Sequence, residues 1–407
     1  MNTRAPGDLD PTFNGNGKVV VQFPTPRGGP GECVAEGPDG KIYVGGALEH
    51  TDDNIASKLG IARLHKDGTL DKNFGEDGYV VVSFGPLQDT HLRQIVFLTI
   101  EGRPRILMSG VDMKAGDAVF VRLHEDGRLD DGFGVNGLLT VKIPTSLAEH
   151  LQKGDGNTSP LRVGPCKVVD GKIYVAIRMY MPIWIAYVAN VVRLNIDGSL
   201  DTSFNKVGYV AITNQHWGHS HVRDILVHNG KITVCGQLID KNMTARLNED
   251  GSFDTGFGDQ GFKLIDNADL LWAFEKLTQY SETSVLVAGK DKLACFTEKG
   301  LFEPAFNNGQ MLIKPVAGAI FNSVDIYNGK IIASGRLYEG NTPSFLVARF
   351  SMDGKLDSRF GDGKGWTTFN FEGQWSEANA MTVQKDGDVL MAGGSRASLI
   401  ARVLNDA

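Results

Sequence analysis

The phrase Leu-Asp-x-x-Phe returns along the whole chain and sets Phe13, Phe74, Phe133, Phe204, Phe257, Phe306 and Phe360 at matching positions of seven units. Successive copies lie 49 to 71 residues apart. A short repeated unit cannot bury its apolar face alone, so its neighbours must cover it. Strand-like units with a period of roughly 50 residues meet that demand by stacking as propeller blades.

The second unit shows the internal pattern. Gly78 to Phe84 reads as a first strand, a; His91 to Ile100 contains a second, b; Arg105 to Gly110 is c; and Ala118 to His124 is d. Each is short, rich in Val, Ile or Leu, and bounded by Gly or Asp, while helical spacing is not sustained anywhere. The expected fold is all-β: a seven-bladed β-propeller of four-stranded antiparallel blades, with residues 1–407 forming a single domain. Seven such units use all 407 residues and leave none for a separate catalytic domain. The chain ends in a d-type strand, Leu399 to Leu404, and begins with Gly7-Asp8-Leu9-Asp10, the turn that follows d elsewhere. Head and tail are consecutive pieces of one cyclic pattern, although sequence phase does not say which strand is innermost.

Two further motifs repeat. The b–c turns Asp39-Gly40-Lys41, Asp170-Gly171-Lys172, Asn229-Gly230-Lys231, Asn328-Gly329-Lys330 and Asp386-Gly387-Asp388 supply the positive φ angles of tight hairpins. Strand d carries Arg63, Arg122, Arg193, Arg246, Arg349 and Arg402 inside apolar runs, with Cys295 in the remaining copy. Six arginines can be read as an anion-binding ring. A guanidinium with several donors can equally tie turn carbonyls and the recurring acids Asp10, Asp71, Asp130, Asp201, Asp254, Glu303 and Asp357. Recurrence in nearly every unit favours this blade-building role, since one active site needs its residues only once. The seven phenylalanines are expected to anchor neighbouring blades rather than to touch a ligand.

These phrases, among them Ala62-Arg63-Leu64 leading to Asp67-Gly68-Thr69-Leu70-Asp71-Lys72-Asn73-Phe74, resemble the bacterial delta-60 repeat proteins. The resemblance runs from Leu9 to Val403 and implies a β-propeller of largely unknown function. It brings no catalytic residues. The sixth copy departs from it, reading Leu301-Phe302-Glu303-Pro304-Ala305-Phe306.

Composition narrows the function. A net charge of −7 argues against a general nucleic-acid surface. No apolar run is long enough to span a membrane, and Met1 to Pro11 lack the core of a standard signal peptide. The default expectation is cytoplasmic, with export independent of such a signal left open. Cys33, Cys166, Cys235 and Cys295 fall in apolar strands without CxxC spacing and read as reduced core residues.

Antiparallel strands send the d–a and b–c turns to one face and the a–b and c–d connections to the other. The first set recurs almost verbatim; the second differs in every copy. Residues 45–60 and 141–162 are long connections of this kind, and Arg178 to Tyr187 reads as an unusually apolar c–d loop. Constant turns hold a scaffold, whereas variable loops can diverge toward binding. Trp217, Trp272 and Trp375 stand in or beside a–b connections, and Tyr180 and Trp184 in a c–d connection, so these five are the candidate ligand-binding residues. Their rings can stack on sugars or anchor a protein; the alternative is that they cap the core beneath long loops. His216, His219 and His221 have spacing that can hold a divalent metal, although His91 recurs at the His221 position and favours a structural role. No other cofactor is implied.

No nucleophile elbow, P-loop, dinucleotide fingerprint or zinc-protease motif is present. Paired acids drawn from different blades remain available near the variable face, among them Asp52, Asp53, Asp155 and Asp240. The leading expectation is a non-enzymatic binding or scaffold propeller presenting its variable face to a glycan or protein. The alternatives are a polysaccharide hydrolase or lyase, and a structural component of a larger bacterial assembly.

Overall fold

The computed structural model describes all residues except 1–3, 26–27, 49–55, 87, 142–165, 182–185, 215–217, 267–272, 341 and 407, and the side chains of 179–181, 186 and 339. Strand β1 (Lys18–Val21) belongs to the blade that closes the ring. Blade 1 is β2 (Cys33–Glu36), β3 (Ile42–Leu48), β4 (Lys58–Leu64) and β5 (Tyr79–Val82). Blade 2 is β6 (Thr90–Ile100), β7 (Arg103–Asp112), β8 (Ala118–His124) and β9 (Leu138–Val141). Blade 3 is β10 (Cys166–Val169), β11 (Lys172–Met181), β12 (Ala186–Asn195) and β13 (Tyr209–Ala211). Blade 4 is β14 (Ser220–His228), β15 (Lys231–Leu238), β16 (Lys241–Asn248) and β17 (Phe262–Asp266). Blade 5 is β18 (Phe274–Gln279), β19 (Val285–Gly289), β20 (Lys292–Phe296) and β21 (Leu312–Ile313). Blade 6 is β22 (Ala319–Tyr327), β23 (Lys330–Glu339), β24 (Thr342–Ser351) and β25 (Trp366–Phe369). Blade 7 is β26 (Ala378–Val383), β27 (Val389–Gly393), β28 (Ser398–Val403) and β1. The protein is therefore an all-β, seven-bladed propeller.

The strand phase left open by the sequence is now fixed. β2, β6, β10, β14, β18, β22 and β26 touch one another in a closed circuit, so strand b of each unit is innermost. Each a strand is the outer edge of the preceding blade. One correction concerns Arg178 to Tyr187: most of this apolar "loop" is β11 and β12 continuing in register to Met181 opposite Ala186. Tyr180 and Tyr187, opposite each other in this pairing, extend the hairpin, as the strand propensity of aromatic residues favours.

One cluster recurs around the ring. In blade 2, Arg122 donates from Nε to Asp130 Oδ2 at 2.8 Å and from Nη1 to the carbonyl of Ile196, in the turn of blade 3, at 2.6 Å. Its guanidinium lies 4.7 Å from the centre of the Phe133 ring. Arg105, at the head of the b–c turn, adds a second cation to Asp130 at 2.7 Å. The same arrangement joins Arg63 to Asp71, Phe74 and the Glu125 carbonyl, and Arg193 to Asp201, Phe204 and the Glu249 carbonyl. Arg246, Arg349 and Arg402 reach the carbonyls of Glu298, Asn405 and Lys66 while pairing with Asp254, Asp357 and Asp10. All seven phenylalanines are buried. In Asp71, burial pulls the carboxyl upward, but hydrogen bonds from Lys41 and the Asn73 amide and the charges of Arg63 and Lys41 outweigh it and hold it at about 2.

Blade 5 lacks the arginine, and Tyr280 replaces its reach. The Tyr280 hydroxyl donates to the Met352 carbonyl of blade 6 at 2.8 Å, and its ring meets Phe306 edge-on at 6.2 Å. Ser284 takes the place of the paired cation and donates to Glu303 at 2.6 Å. A cross-blade bond of this kind thus joins every blade to the next.

The seam is closed twice. β1 pairs with β28, Lys18 opposite Ala401. The turn after β28 is shared between two segments: Gly7 N donates to Leu404 O at 2.8 Å and Leu404 N to Asp8 O at 2.9 Å. These bonds copy Gly68 N to His65 O and His65 N to Thr69 O in the continuous turn of blade 1. Gly7 has φ +101°, and a Cβ there would stand 2.6 Å from the Gly361 nitrogen, so only glycine fits.

Blade 7 also carries Asp388 where the b–c turns of blades 1, 2, 3, 4 and 6 carry a cation. Burial and then the Asp386 carboxylate push Asp388 up to about 6; Arg402 opposes this and Asp10 adds to it.

Phe133→Ala is expected to cost about 3–5 kcal/mol in chemical denaturation, from lost transfer energy and the cavity left behind. Tyr280→Phe should cost about 1 kcal/mol, the net worth of one hydrogen bond. Asp388 binds its proton more tightly folded than unfolded, so its charge destabilises the fold above about pH 6 and that cost disappears as pH falls toward the unfolded carboxylate range. Asp388→Lys should therefore raise the melting temperature at pH 7 and abolish this residue's gain in stability between about pH 7 and pH 4, measured by thermal melts across pH.

Candidate functional site: the channel mouth on the variable face

The innermost strands enter the ring from the variable face, and among the described residues five of them begin with the same irregularity. The pairing skips one residue between Leu92 and Gln94, Val222 and Asp224, Phe274 and Lys276, Phe321 and Ser323, and Ala378 and Ala380. Each extra residue is a β-bulge, which leaves one side chain outside the ladder and re-aims it. The bulged residues are Arg93, Arg223, Glu275, Asn322 and Asn379, and Glu32 holds the corresponding place before β2. All six line one polar hollow of about 440 Å³ at the axis, with Lys276, Lys290 and Glu377.

Contacts in this ring cross from blade to blade. Arg93 lies 3.6 Å from Glu32, and Arg223 lies 3.9 Å from Glu275. Asn322 Nδ2 donates to Glu377 Oε1 at 3.2 Å, and Asn379 Nδ2 donates to the Gly31 carbonyl at 3.3 Å. His91 Nδ1 is 3.5 Å from Glu32. Deeper along the innermost strands, Thr278 donates to Asp325 at 3.2 Å. Burial raises the Asp325 carboxyl above its ordinary range, against the hydrogen bonds from the Ile326 amide and Thr278.

Of the aromatic candidates, Trp375 is brought to this mouth. It is 43% exposed, enough to offer a ring face, and its Nε1 donates to Glu377 Oε2 at 3.5 Å. Tyr338, also exposed, meets it edge-on at 6.3 Å, and Arg336 pairs with the same Glu377. Tyr180 lies in β11 opposite Tyr187, its side chain outside the described set. Trp184, Trp217, Trp272 and His216 lie outside the described residues, as do Asp52, Asp53 and Asp155.

His219 Nδ1 accepts the Tyr187 amide at 3.0 Å, and its ring stacks on Tyr187 at 6.0 Å between centroids. That nitrogen is engaged by backbone, so only Nε2 could face an ion. His221 and His91 share the position that precedes the bulge by two residues. Among the described residues, no group of three His, Cys, Asp or Glu side chains is arranged to hold a metal ion. The four cysteines are buried and unpaired by disulfides. Among the described residues, no helix is long and apolar enough to cross a membrane.

A larger hollow, about 880 Å³, runs beside β17 between Phe253, Phe262, Leu264 and Leu301. It lies at the outer edge, framed by turn segments that every repeat supplies, and gathers no bulged side chains. The mouth is the better candidate because its residue types change from blade to blade while its geometry repeats.

Sequence reasoning passed over the bulged ring. Its signal was a broken alternation, apolar-polar-polar-apolar, in Leu92-Arg93-Gln94-Ile95, Val222-Arg223-Asp224-Ile225, Phe274-Glu275-Lys276-Leu277 and Phe321-Asn322-Ser323-Val324.

Residues 37–74, 186–204, 229–257 and 328–360 match the family model described as "Domain of unknown function (DUF5122) beta-propeller". The match falls on four of the seven repeats. No curated protein matches the chain in sequence. Among solved structures, Sqt1 from Chaetomium thermophilum is 12% identical with a TM-score of 0.48, covering 92% of this chain and 96% of its own. The extracellular domain of a putative hybrid two component system from B. thetaiotaomicron is 11% identical with a TM-score of 0.49, covering 98% of this chain and 42% of its own. A putative oxidoreductase (glucose dehydrogenase) from Thermus thermophilus is 13% identical with a TM-score of 0.40, covering 95% of this chain and 99% of its own.

Proposed function

We propose that this protein, which resembles the delta-60 repeat propellers, is a binding propeller that holds a saccharide at the variable-face mouth of its central channel. The carrying observation is the exposed Trp375 ring hydrogen-bonded to Glu377 at the edge of a hollow lined by Arg, Glu and Asn side chains. An indole face supplies apolar and CH–π contact to a sugar ring, while planar amides, carboxylates and guanidinium groups meet its hydroxyls. The hollow's volume is in the range that suits a small ligand or the end of a chain, rather than a folded domain. The five bulged positions and Glu32 free this face from the repeat's packing demands, which favours recognition over scaffold.

One observation favours a hydrolytic reading as second choice. Asp325 sits below the mouth with its carboxyl raised by burial, a property of general acids.

Screening the full chain on a glycan array and titrating the hits calorimetrically should find a saccharide ligand, and Trp375→Ala should weaken it by about tenfold or more, the worth of ~1.4 kcal/mol. Absence of any saccharide ligand, or affinity indifferent to Trp375→Ala and Asn322→Ala together, removes this reading. Shortened products on prolonged incubation, lost in Asp325→Asn, transfer it to the hydrolase class.

A further inference from the structure

The larger hollow, about 880 Å³, is built along the outer edge of β17. Among the described residues β17 is the longest outer strand, with five residues. Every repeat supplies such an edge, but the walls here are particular to blades 4 and 5. Five copies of the Leu-Asp turn carry Leu9, Leu70, Leu129, Leu200 and Leu356, whereas the two consecutive copies on either side of β17 carry Phe253 and Phe302. Phe253 meets Phe262 with ring centres 4.9 Å apart, and both pack with Leu264 in the core toward blade 3. Phe302 and Ile265 pack against the core toward blade 5, and Lys263 Nζ stands 5.2 Å from the centre of the Phe302 ring. Alternation along the strand thus gives the groove an apolar wall on one side and a wall headed by Lys263 on the other. Lys299 and Leu301 extend that second wall, and Gly258 N donates to Lys299 O at 3.0 Å, which fixes it to the turn before β17.

The edge also offers main-chain groups. Arg246 N donates to Gly261 O at 2.9 Å, so the ladder with β16 takes the N–H and C=O of Lys263 and Ile265, and those of Phe262, Leu264 and Asp266 turn outward. Phe262 bonds both of its groups back to Asp259, at 2.7 and 3.0 Å. No main-chain bond from another described residue meets those of Leu264 and Asp266. Among the described residues, neither Lys263 nor Lys299 has an ion-pair partner. Asp259 is also on the lining, at the end of the edge that its own bonds to Phe262 close.

We infer that this groove docks an extended segment of a partner protein, which adds to β17 as an antiparallel strand and carries apolar and acidic residues in alternation. Outward N–H and C=O groups at strand spacing select a main chain over other ligands. In an antiparallel pair the residue opposite Leu264 bonds to it through both groups and points its side chain the same way, onto Phe253 and Phe262. Its neighbours in the segment face Lys263 and Lys299, where acidic side chains complement the charge. The site lies on the outer rim and stands apart from the saccharide reading.

The test titrates the full chain, by fluorescence anisotropy, with a short labelled peptide that has valine and glutamate at alternate positions. The comparison arms are the same peptide with lysine for glutamate, one N-methylated at every valine, and one N-methylated at every glutamate. The expected result is at least about tenfold tighter binding of the glutamate peptide than of the lysine peptide. N-methylation at valine should abolish binding, because it blocks the groups that meet Leu264. N-methylation at glutamate, whose N–H groups face away from β17, should leave affinity within about threefold. Lys263→Glu combined with Lys299→Glu should reverse the preference in favour of the lysine peptide, and a reversal cannot come from damage to the fold. Absence of binding by the glutamate peptide, a preference unchanged by the double substitution, or equal effects of the two N-methylation patterns overturns the inference. A concentration-dependent dimer of the full chain in sedimentation, lost on Lys263→Glu, assigns the edge to a second copy and also overturns it.

Discussion

The propeller is held by a contact that each blade makes with the next. A basic side chain in the third strand grips its own turn acid, covers its own phenylalanine, and donates to a backbone carbonyl of the neighbouring turn. Arginine suits this because one rigid plane offers donors in several directions while its face lies on an aromatic ring. Lysine would supply a point charge and lose the geometry. The grip also buries charge only where partners are complete, as in Asp71, whose hydrogen bonds overcome the penalty of burial. Because each link ends on the next turn, blade order and spacing are set by hydrogen bonds as well as by apolar packing.

Where the pattern fails, the function of the link survives through other atoms. Tyr280 spans from blade 5 to the Met352 carbonyl by a longer aromatic lever, and Ser284 shares the burden of neutralising Glu303 by hydrogen bonding. At the seam, backbone from Gly7 to Asp10 and from Arg402 to Leu404 reproduces a turn that is continuous in other repeats. At Asp388 a cation of this system is replaced by a like charge. These exceptions show that the constraint lies in satisfying carbonyls and carboxylates, rather than in any one residue type.

Much of this was legible in the residues themselves. The seven phenylalanines, the strand-d arginines and the recurring acids declare themselves by repetition, and the pairing of Arg122 with Asp130 follows from donors and acceptors kept at constant spacing. The innermost strand was not legible, since a cyclic pattern reads alike from any starting point. Tyr280 is hidden because it lies just past the end of β18, away from the strand whose cysteine displaced the arginine. Arg178 to Tyr187 reads as a loop because it runs past the length of strand c in other units, although Arg178 to Met181 and Ala186 to Tyr187 extend a hairpin. The mouth residues escape a search for repetition: their positions repeat, but their chemistry does not. Trp375 is the aromatic candidate that the described structure brings to them.

The bulges at the entrances of the inner strands have a wider consequence. An unpaired residue there belongs to no hydrogen-bond ladder and to no apolar core, and meets the next blade only through polar contacts such as Asn322 with Glu377, so its identity is freer to change than that of a core residue. Radial symmetry then becomes an advantage: a rigid wheel holds a set of inward-facing coordinates around one axis. A new specificity can arise from single exchanges at these coordinates, without insertion, loop remodelling or loss of the wheel.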